Sequence, residues 1–288
     1  MPRRILITGA AGLLGTPTAA RFAADTACEV LAPGHGELDI TDAARVAHCF
    51  ETFQPDLVVN CAAFTRVDDC ESSEALACRV NGEGAGHVAE AAARAGARLI
   101  HISTDYVFDG CATSPLREDA PTAPPDRLSA YGRSKLLGEQ AVRSRHPSAL
   151  IVRTAWIYGP DGPGFPATIL RLARERPRLR VVVDQRGSPT YAPDLAEAIQ
   201  RLARLDADGI VHVTNAGDCT WHELAVEICR RARLDTPVDP VTTAEFPRPA
   251  RRPAYSVLDN SRYIELTGAP LRSWREALGT YLSTRSDG

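Results

Sequence analysis

The chain has 288 residues, 44% of them hydrophobic and 24% charged, a composition near the globular average and far from that of disordered segments. At about 150 residues per domain, this length suits one large α/β unit or a larger domain with a smaller companion. The formal net charge of −3 provides no electrostatic footprint for nucleic acid or an anionic membrane, so neither is expected as a partner.

Neither a targeting segment nor a membrane span is predicted. No apolar run approaches the roughly 18 residues of a spanning helix, and the start of the chain lacks the apolar core of a signal peptide. The eight cysteines include no Cys-x-x-Cys pair and no histidine spacing typical of a zinc site. We therefore expect a cytoplasmic protein whose cysteines are reduced, packed thiols, with no disulfide and no metal.

The first half of the chain alternates apolar runs with helical spacing. Such alternation predicts right-handed βαβ crossovers and an α/β fold with a Rossmann-type, doubly wound parallel sheet. Three glycines at positions 82, 84 and 86 interrupt the pattern of the longest predicted helix. Strands are predicted at residues 4–8, 29–32, 56–60, 98–103 and 149–154, and helices after residue 15 and at 42–53, 74–95 and 130–144.

The pattern loosens after residue 159, where the stretch 159–164 is rich in glycine and proline and predicts a loop at a domain edge. We predict a Rossmann domain at residues 1–159 and a smaller, mainly C-terminal α/β domain at 160–288, some of whose segments return to the first sheet. In this second part helices are predicted at 165–175, 194–205, 220–233 and 273–281, and strands at 180–183 and 210–213.

A glycine triplet follows the first predicted strand, in the sequence Gly9-Ala10-Ala11-Gly12-Leu13-Leu14-Gly15. Glycines in this context permit a tight turn, a close approach of backbone N–H groups to a pyrophosphate, and close packing of helix on strand. Because the triplet lies between a strand and a helix, it predicts a dinucleotide site.

The end of the second strand bears on the choice of dinucleotide. It reads Ala32-Pro33-Gly34-His35, with no carboxylate to repel a 2′-phosphate and no arginine to hold one. We therefore expect NADPH, with NADH possible. Asp39, followed by Ile40, is positioned either to lie near the adenosine or to cap the next helix, and the residues alone leave both roles open.

Hydroxyl and carboxylate groups follow the fourth strand, and a Tyr-x-x-x-Lys pair opens the next helix. The carboxyl ends of parallel strands face the ligand crevice, which places Thr104 to meet a substrate. Tyr131 and Lys135 are four residues apart on one helical face. A nearby ammonium favours the phenolate, so the pair predicts a proton donor beside a hydride source.

With these motifs the chain resembles the extended short-chain dehydrogenases and, within them, the dTDP-4-dehydrorhamnose reductases, over nearly its whole length. The glycines and the Tyr-x-x-x-Lys pair are shared across that superfamily, whereas the longer strings are more specific. The motifs are Gly9 to Gly15, Asn60-Cys61-Ala62-Ala63, Ser103-Thr104-Asp105-Tyr106-Val107-Phe108-Asp109-Gly110, Tyr131-Gly132-x-x-Lys135, Arg153-Thr154-Ala155-Trp156-Ile157-Tyr158-Gly159, Asp184-Gln185-x-Gly187-x-Pro189-Thr190 and Arg251-Arg252-Pro253.

The resemblance implies a Rossmann domain with a C-terminal substrate domain, reducing the C4 ketone of a dTDP-bound 6-deoxyhexulose to dTDP-L-rhamnose. It implies that Tyr131 protonates the oxygen, that Lys135 binds the nicotinamide ribose and lowers the pKa of Tyr131, and that Thr104 touches the sugar. Implied cofactor contacts are Gly9, Gly12, Leu13, Leu14, Gly15, Asp39, Ile40, Ala62, Ala63, Phe64, Thr65, Ile102, Tyr131 and Lys135. Implied substrate contacts are Val67, Thr104, Asp105, Tyr106, Tyr131, Trp156, Arg251 and Arg252.

Two arginines suit the substrate pyrophosphate, since guanidinium forks match phosphate oxygens, although Arg251 and Arg252 could also be solvated surface residues. Some relatives dimerise through a metal held by a glutamate two positions after the third glycine. Here that residue is Pro17, so metal-mediated dimerisation is not expected and a monomer or homodimer is predicted.

Three other functions remain open from the sequence. The first is reduction of a different dTDP-4-keto-6-deoxyhexose in secondary metabolism, since residues around the hydride site do not fix the face of the ketone. The second is a non-catalytic, NADP-binding regulatory subunit, which would not need Tyr131 or Lys135. The third is epimerase or dehydratase chemistry, which is disfavoured because Thr104 is followed by Asp105-Tyr106 and not by two carboxylates.

Overall fold

The computed structural model describes residues 2–162 and 164–286, so Pro163 of the predicted loop lies outside the described residues. The strands are β1 (Arg3–Thr8), β2 (Cys28–Leu31), β3 (Leu57–Asn60), β4 (Arg98–Thr104), β5 (Leu150–Thr154), β6 (Ile157–Tyr158), β7 (Leu179–Val182), β8 (Arg186–Gly187), β9 (Thr190–Tyr191), β10 (Gly209–His212), β11 (Cys219–Thr220) and β12 (Val238–Val241). The α-helices are α1 (Gly15–Ala23), α2 (Ala43–Phe53), α3 (Val67–Ser72), α4 (Glu74–Cys78), α5 (Ala85–Ala95), α6 (Ala130–Arg145), α7 (Phe165–Glu175), α8 (Ala192–Leu202), α9 (Trp221–Arg231), α10 (Ser261–Thr267) and α11 (Trp274–Ser286).

A six-stranded parallel sheet organises the molecule in the order β2-β1-β3-β4-β5-β10. Ile5 and Ile7 of β1 face a layer that includes α1 and α8, whereas Leu6 faces α2, α5 and α6. Both faces of β1 are therefore covered, which explains its continuous apolar run. The strand order reverses between β1 and β3, and their carboxyl ends mark the expected ligand crevice. The predicted α/β, doubly wound fold is confirmed.

A second apolar core lies outside the sheet, between α7, α9 and α11. Short strand pairs border it: β7 with β12 and β6 with β9 are parallel, and β8 with β11 is antiparallel. In contrast β10, from the same half of the sequence, pairs with β5 and so joins the main sheet. The division at residue 159 stays a prediction.

The predicted helix at 74–95 is interrupted, which corrects its expected continuity. A π-helical segment, Arg79–Gly84, separates α4 from α5. Its buried Asn81 accepts a hydrogen bond from the Phe64 amide at 2.7 Å and donates one to the Ser134 hydroxyl at 2.9 Å. A Cβ on Gly138 of α6 would lie 2.2 Å from the Asn81 carbonyl oxygen. The helical bulge thus allows close packing on α6 and ties it to the end of β3.

Over the residues that the structure describes, no helix is both long and apolar enough to cross a bilayer, and no group of three or more potential ligand side chains could hold a metal ion. All eight cysteines are free thiols. Cys111 is exposed, so the expectation that every cysteine is packed in the interior is wrong at that position.

Candidate active site

The glycine turn between β1 and α1 is shaped by close backbone approaches. Gly9 has φ +66°, and a Cβ there would lie 2.6 Å from Cα of Ala62 at the end of β3. A Cβ on Gly15 would lie 2.1 Å from the Gly9 carbonyl oxygen. These two positions accept only glycine without displacement of the backbone, so the turn keeps the start of α1 against the ends of β1 and β3.

The start of α1 fits a dinucleotide pyrophosphate. Leu14 occupies the N-cap without a side-chain cap; the Thr16 amide donates to the Gly12 carbonyl oxygen and residue 17 is a proline, which leaves the amides of Leu13, Leu14 and Gly15 for a ligand. Gly12 is exposed and Leu13 half-buried, so the backbone of this turn is accessible. Free amides at a helix N-terminus attract anions through hydrogen bonds and the helix dipole. Gly9, Gly12, Leu13, Leu14 and Gly15 therefore lie together in an arrangement that suits the predicted cofactor contact.

The end of β2 carries a carboxylate that the sequence analysis did not find. The Gly34 amide donates a hydrogen bond to the side chain of Glu37 at 2.8 Å. Because Glu37 follows the strand end by several residues, no strand periodicity indicates this return. The structure therefore corrects the expectation that this end of the sheet lacks a carboxylate, and the group bears on coenzyme preference.

Asp39 does not cap the following helix, so that alternative is wrong. Its carboxylate accepts hydrogen bonds from the amide and hydroxyl of Thr41, and the amide bond lowers the pKa of Asp39. Asp42 is the cap, accepting from the Ala44 and Arg45 amides. The neighbouring Ile40 is buried against Gly84 of the π-helical segment.

The chain after β3 lies between the glycine turn and α6. Ala62 contacts the glycine turn from this side, and Ala63 is half-buried beside it. Phe64 is held by Asn81, which bonds both its amide and its carbonyl group. The ring of Phe64 packs with Tyr131 against one small cluster, whereas Thr65 is exposed. This segment therefore connects predicted cofactor contacts with the predicted proton donor.

The end of β4 forms a tight polar turn. The hydroxyl of Thr104 donates to the carboxylate of Asp105 at 3.0 Å and accepts from the Tyr106 amide at 3.2 Å. Asp105 is 1% exposed, and burial raises its pKa to about 6 against the opposing effect of the Ser256 and Thr104 hydroxyls. The site thus holds a carboxyl group whose charge changes below neutral pH.

The first turn of helix α6 lies against the turn that follows β4. The Ser129 side chain caps it by accepting from the Gly132 amide at 3.1 Å, which puts Tyr131 in the first turn. A Cβ on Gly132 would lie 2.3 Å from the Tyr106 carbonyl oxygen, so glycine allows the helix to touch the β4 turn. The rings of Tyr106 and Tyr131 meet edge to face, with centroids 5.4 Å apart.

Lys135 lies one turn further along α6 and is 2% exposed. Its ammonium donates to the Ile102 carbonyl oxygen at 2.7 Å. Burial lowers its pKa to about 8, and the Glu139 carboxylate acts in the opposite sense. At neutral pH this side chain is therefore largely protonated while held at the sheet edge.

The implied lowering of the Tyr131 pKa by Lys135 is not seen in this arrangement. Burial raises the pKa of Tyr131 well above its ordinary value, against a hydrogen bond with the Thr104 side chain. The Lys135 ammonium donates to the Ile102 carbonyl group and is not among the groups that shift the pKa of Tyr131. Tyr131 is consequently protonated at neutral pH, the state that a proton donor requires.

A buried ion pair lies behind these side chains. Arg153 at the end of β5 donates to Glu139 of α6 through two nitrogens, at 2.8 and 2.7 Å, and Glu139 also accepts from Ser103 at 2.6 Å. Both charged side chains are under 5% exposed. Such a paired, hydrogen-bonded charge fixes the relative position of α6, β4 and β5.

Trp156 follows β5 with an unusual backbone. Its φ is +46°, a conformation that costs a non-glycine residue about 1–3 kcal/mol. Its indole is half-buried and stacked on Trp221 at a centroid distance of 3.5 Å with rings 5° from parallel. The sequence analysis did not find Trp221, because it is 65 residues further along the chain.

The two predicted phosphate-binding arginines have different surroundings. Arg252 makes a two-nitrogen ion pair with Asp68 of α3, which also receives Arg248. Although burial raises the pKa of Asp68, hydrogen bonds from these guanidinium groups hold it well below its usual range. Arg252 is therefore neither solvated nor free, because Asp68 holds it beside Val67. Arg251 is exposed and lines a cleft with Tyr106.

Most of the predicted residues thus lie at or after the carboxyl ends of β1, β3, β4 and β5, where the reversal of strand order predicts a ligand crevice, and the two arginines join them through Asp68 and Tyr106. The crevice offers an anion-binding helix end, a protonated phenol beside a hydroxyl, a buried ammonium, and arginines at its far side. Chemically, this arrangement can hold a dinucleotide, protonate a developing alkoxide, and bind a second anionic group.

Comparison with known proteins agrees with this geometry. A family model described as the RmlD substrate binding domain matches residues 3–286. The chain is 47% identical to a dTDP-4-dehydrorhamnose reductase of Streptomyces griseus, over 96% of this chain and 91% of that protein. It is also 47% identical to a probable dTDP-4,6-dihydroxy-2-methyloxan-3-one 4-ketoreductase of Streptomyces antibioticus, over 96% of this chain and 93% of that protein.

Among solved structures, a dTDP-4-dehydrorhamnose reductase from Bacillus anthracis in complex with NADP superposes with a TM-score of 0.94. It is 38% identical, and the match covers 99% of this chain and all of that chain. The similarity therefore extends through both the sheet and the C-terminal core.

Proposed function

This chain belongs to the RmlD family of dTDP-4-dehydrorhamnose reductases, and from this membership we propose that it reduces the C4 ketone of dTDP-4-dehydro-L-rhamnose to dTDP-L-rhamnose. It is an NAD(P)H-dependent oxidoreductase, in agreement with the NADP complex of the Bacillus anthracis relative. The observation that carries the proposal is the position of Tyr131 in the first turn of α6, against the turn that follows β4, with the Lys135 ammonium one helical turn further along at the Ile102 carbonyl group.

The cofactor fits the site because the α1 amides lack a side-chain cap and because the Gly9 turn leaves its backbone accessible. When bound, NADPH supplies the hydride for the ketone carbon. Lys135 holds the nicotinamide ribose through its ammonium, and the carbonyl group of Ile102 orients that ammonium. Contacts from Asp39, Ile40 and the 62–65 segment to the cofactor belong to the same proposal.

Proton transfer completes the reduction. As the ketone carbon receives the hydride, its C=O π bond breaks and the oxygen takes the proton of the Tyr131 hydroxyl. The products are the C4 alcohol and the oxidised cofactor, and the phenolate regains its proton from solvent. In this proposal the Thr104 hydroxyl turns from Asp105 to donate to the reacting oxygen, and its burial excludes bulk water from this point.

Substrate binding draws on the opposite side of the crevice. Asp105, Tyr106, Val67 and Trp156 surround the sugar in this proposal. The guanidinium of Arg251 is exposed and forms no ion pair with any side chain in the described ranges, so it is the better of the two arginines for the diphosphate. Arg252 shapes this region through its ion pair with Asp68.

A second ketosugar reductase activity is favoured by one specific observation, the 47% identity to the Streptomyces antibioticus 4-ketoreductase. The proton donor and hydride source would be the same, and only the pose of the sugar would differ. A non-catalytic regulatory role has weaker support, because such a protein would not need Tyr131 placed against Thr104.

The deciding experiment follows oxidation of the reduced nicotinamide with purified protein and enzymatically prepared dTDP-4-dehydro-L-rhamnose. NADH, alternative dTDP-4-ketosugars and a no-sugar control run in parallel, and NMR establishes the product configuration. Sugar-dependent oxidation yielding a rhamnose product supports the proposal. A talose-series product assigns the second activity, and folded protein that binds NADPH without oxidising it with any ketosugar indicates the regulatory role.

Location and assembly are further proposals. Eight free thiols suit a reducing compartment, so we place the protein in the cytoplasm. A monomer or homodimer is expected, and light scattering coupled to gel filtration distinguishes the two.

A further inference from the structure

The indole of Trp156 is held by segments that the proposed reaction does not use. Its backbone, at φ +46°, is fixed by a hydrogen bond from the Thr190 amide to its carbonyl oxygen at 3.2 Å. The adjacent Ile157 pairs with Thr190 in the β6–β9 ladder. A strained residue persists only where its surroundings over-determine it, and here contacts to the side chain add to those of the backbone.

Gly187 forms one wall around this indole. A Cβ at that position would lie 2.5–2.8 Å from Cε2, Nε1 and Cζ2 of Trp156, closer than side-chain carbons approach. The backbone of Gly187 does not have a positive φ, so the need for glycine comes from the indole and not from the backbone. This contact gives the otherwise unexplained Asp184-Gln185-x-Gly187 string a physical role.

Trp221 covers a face of the same indole. It is the first residue of α9, whose capping box pairs Thr220 with Glu223 and so fixes where the helix begins. The rings of Trp221 and Trp156 are parallel within 5° at 3.5 Å, and Phe165 packs on Trp221 with centroids 4.5 Å apart. The stack therefore links the start of α7 and the start of α9 to the site.

The two walls are themselves joined. Gly187 pairs with Cys219 in the β8–β11 ladder, immediately before Thr220 and Trp221. The Arg186 side chain of β8 forms ion pairs with Asp218, which precedes β11, and with Glu223 of α9. The positions of Gly187 and Trp221 are thus set together, by backbone pairing and by charge.

We propose that Gly187 and Trp221 are positioning residues that clamp the Trp156 indole in the orientation needed to bind the sugar ring. This inference rests on the proposed function in one respect, the contact between Trp156 and the ketosugar. The clamp should determine sugar affinity and leave cofactor affinity unchanged, because Gly187 and Trp221 lie on β8 and α9 and not on β1, α1 or α6.

The test compares Trp221→Ala, Trp221→Phe and Gly187→Ala with wild type. Val226→Ala is the matched control, since Val226 lies on α9 with its side chain exposed. Two stacked indoles give an exciton couplet in far-ultraviolet circular dichroism, which reports the clamp without substrate. KM and kcat for the ketosugar and the Kd of NADPH are measured on the same preparations.

We expect Trp221→Ala to abolish the couplet and to raise KM about 10-fold, because displacing a positioning contact weakens substrate orientation. Gly187→Ala should distort the couplet and raise KM at least as much. Trp221→Phe keeps an aromatic ring and should restore most of the affinity, although it also removes the couplet. The Kd of NADPH should stay unchanged in every variant, as should all properties of Val226→Ala.

Other outcomes overturn the inference. A wild-type spectrum without a couplet contradicts the stack. Loss of the couplet in Trp221→Ala with unchanged KM shows that the clamp does not act on substrate, and an equal rise in the Kd of NADPH shows a general structural role. If wild-type protein reduces no ketosugar while its couplet is present, the proposed function fails separately from the clamp geometry.

Discussion

The cofactor face of the crevice, formed by the glycine turn of residues 9–15, is held by continuous secondary structure. The substrate face, formed by Val67, Trp156, Arg251 and Arg252, is held by contacts between short segments that are distant in the chain. Gly9 and Gly15 are fixed by the packing of β1, α1 and β3, all in the parallel sheet or directly on it. Arg252, in contrast, is held by Asp68, 184 residues away. Substitutions on the cofactor face should therefore weaken cofactor binding, while those on the substrate face should weaken sugar binding and leave the affinity for the cofactor unchanged.

The largest effect is expected at the proton donor, where a substitution should slow the chemical step without weakening cofactor binding. Tyr131→Phe keeps the ring in its contacts with Phe64 and Tyr106 but removes the proton. We expect kcat to fall by roughly 10²-fold or more, as for loss of a positioned general acid. Steady-state kinetics with the ketosugar measure this, and fluorescence titration should give an unchanged Kd for NADPH. Full activity of the variant would exclude Tyr131 as the donor.

Next in size is Gly15→Ala, which tests the cofactor face. The new methyl group would lie 2.1 Å from the Gly9 carbonyl oxygen, so the turn must move. We expect a loss of about 1–3 kcal/mol in the free energy of unfolding, typical of overpacking, together with weaker NADPH binding. Gly36→Ala is the control, since a Cβ there meets nothing within 4 Å. Unaltered stability and NADPH binding in Gly15→Ala would contradict the claim that close backbone packing holds the cofactor face.

Asp68→Asn tests the substrate face. The change removes the charge that holds Arg248 and Arg252 and leaves two guanidinium groups unpaired. We expect KM for the ketosugar to rise several-fold and stability to fall by about 1–2 kcal/mol, with the Kd of NADPH unchanged. The neighbouring, exposed Asp69→Asn is the matched control. A rise in the NADPH Kd equal to that in KM would show that the two faces are not independent.

A smaller effect is expected for Glu37→Gln. The side chain of Glu37 accepts from the Gly34 amide beside the end of β2, and an amide oxygen can accept the same bond without charge. Removing the charge should shift the ratio of kcat/KM values toward NADPH over NADH by about 3-fold, a modest change because the site is exposed. Glu51→Gln on α2 is the control. No shift would mean that this carboxylate lies too far from the ribose to matter.

The last effect concerns pH and is measured as stability, not as activity. Burial raises the pKa of Asp105 to about 6 in the folded protein, above its ordinary value near 3.8, so the folded state binds more protons between these values. Its contribution to stability is complete below the unfolded pKa and is lost as pH rises through about 6. Denaturant titrations should show this contribution falling by roughly 1 kcal/mol between about pH 5 and 7. Asp105→Asn should flatten that dependence, and an equal slope in the variant would contradict the shift.

Much of the cofactor side could be predicted because its determinants are local. The spacing of Gly9, Gly12 and Gly15 after an apolar run indicates a strand, turn and helix, and hydrophobic periodicity indicates the sheet on which they lie. The separation of Tyr131 and Lys135 by four residues likewise predicts one helical face, which α6 confirms. The chemical roles of these two residues stay predictions.

The determinants of the substrate side are contacts between segments that share no local pattern. The two-residue strands β8 and β11 are too short for any periodicity, yet their pairing brings Gly187 to Trp156 and sets the start of α9. The π-helical bulge between α4 and α5 similarly depends on the close approach of α6, which glycine spacing alone does not specify.

By itself, the sequence determined the α/β class, the glycine turn and the Tyr131–Lys135 helix, because hydrophobic periodicity and turn chemistry act between residues close in the chain. Only the tertiary structure decided that Asp68 holds Arg252, that Trp221 stacks on Trp156, and that burial raises the pKa of Tyr131 while Lys135 donates to the Ile102 carbonyl group. These outcomes depend on which distant side chains are brought together and on how far each is removed from water, and neither quantity exists before the chain folds.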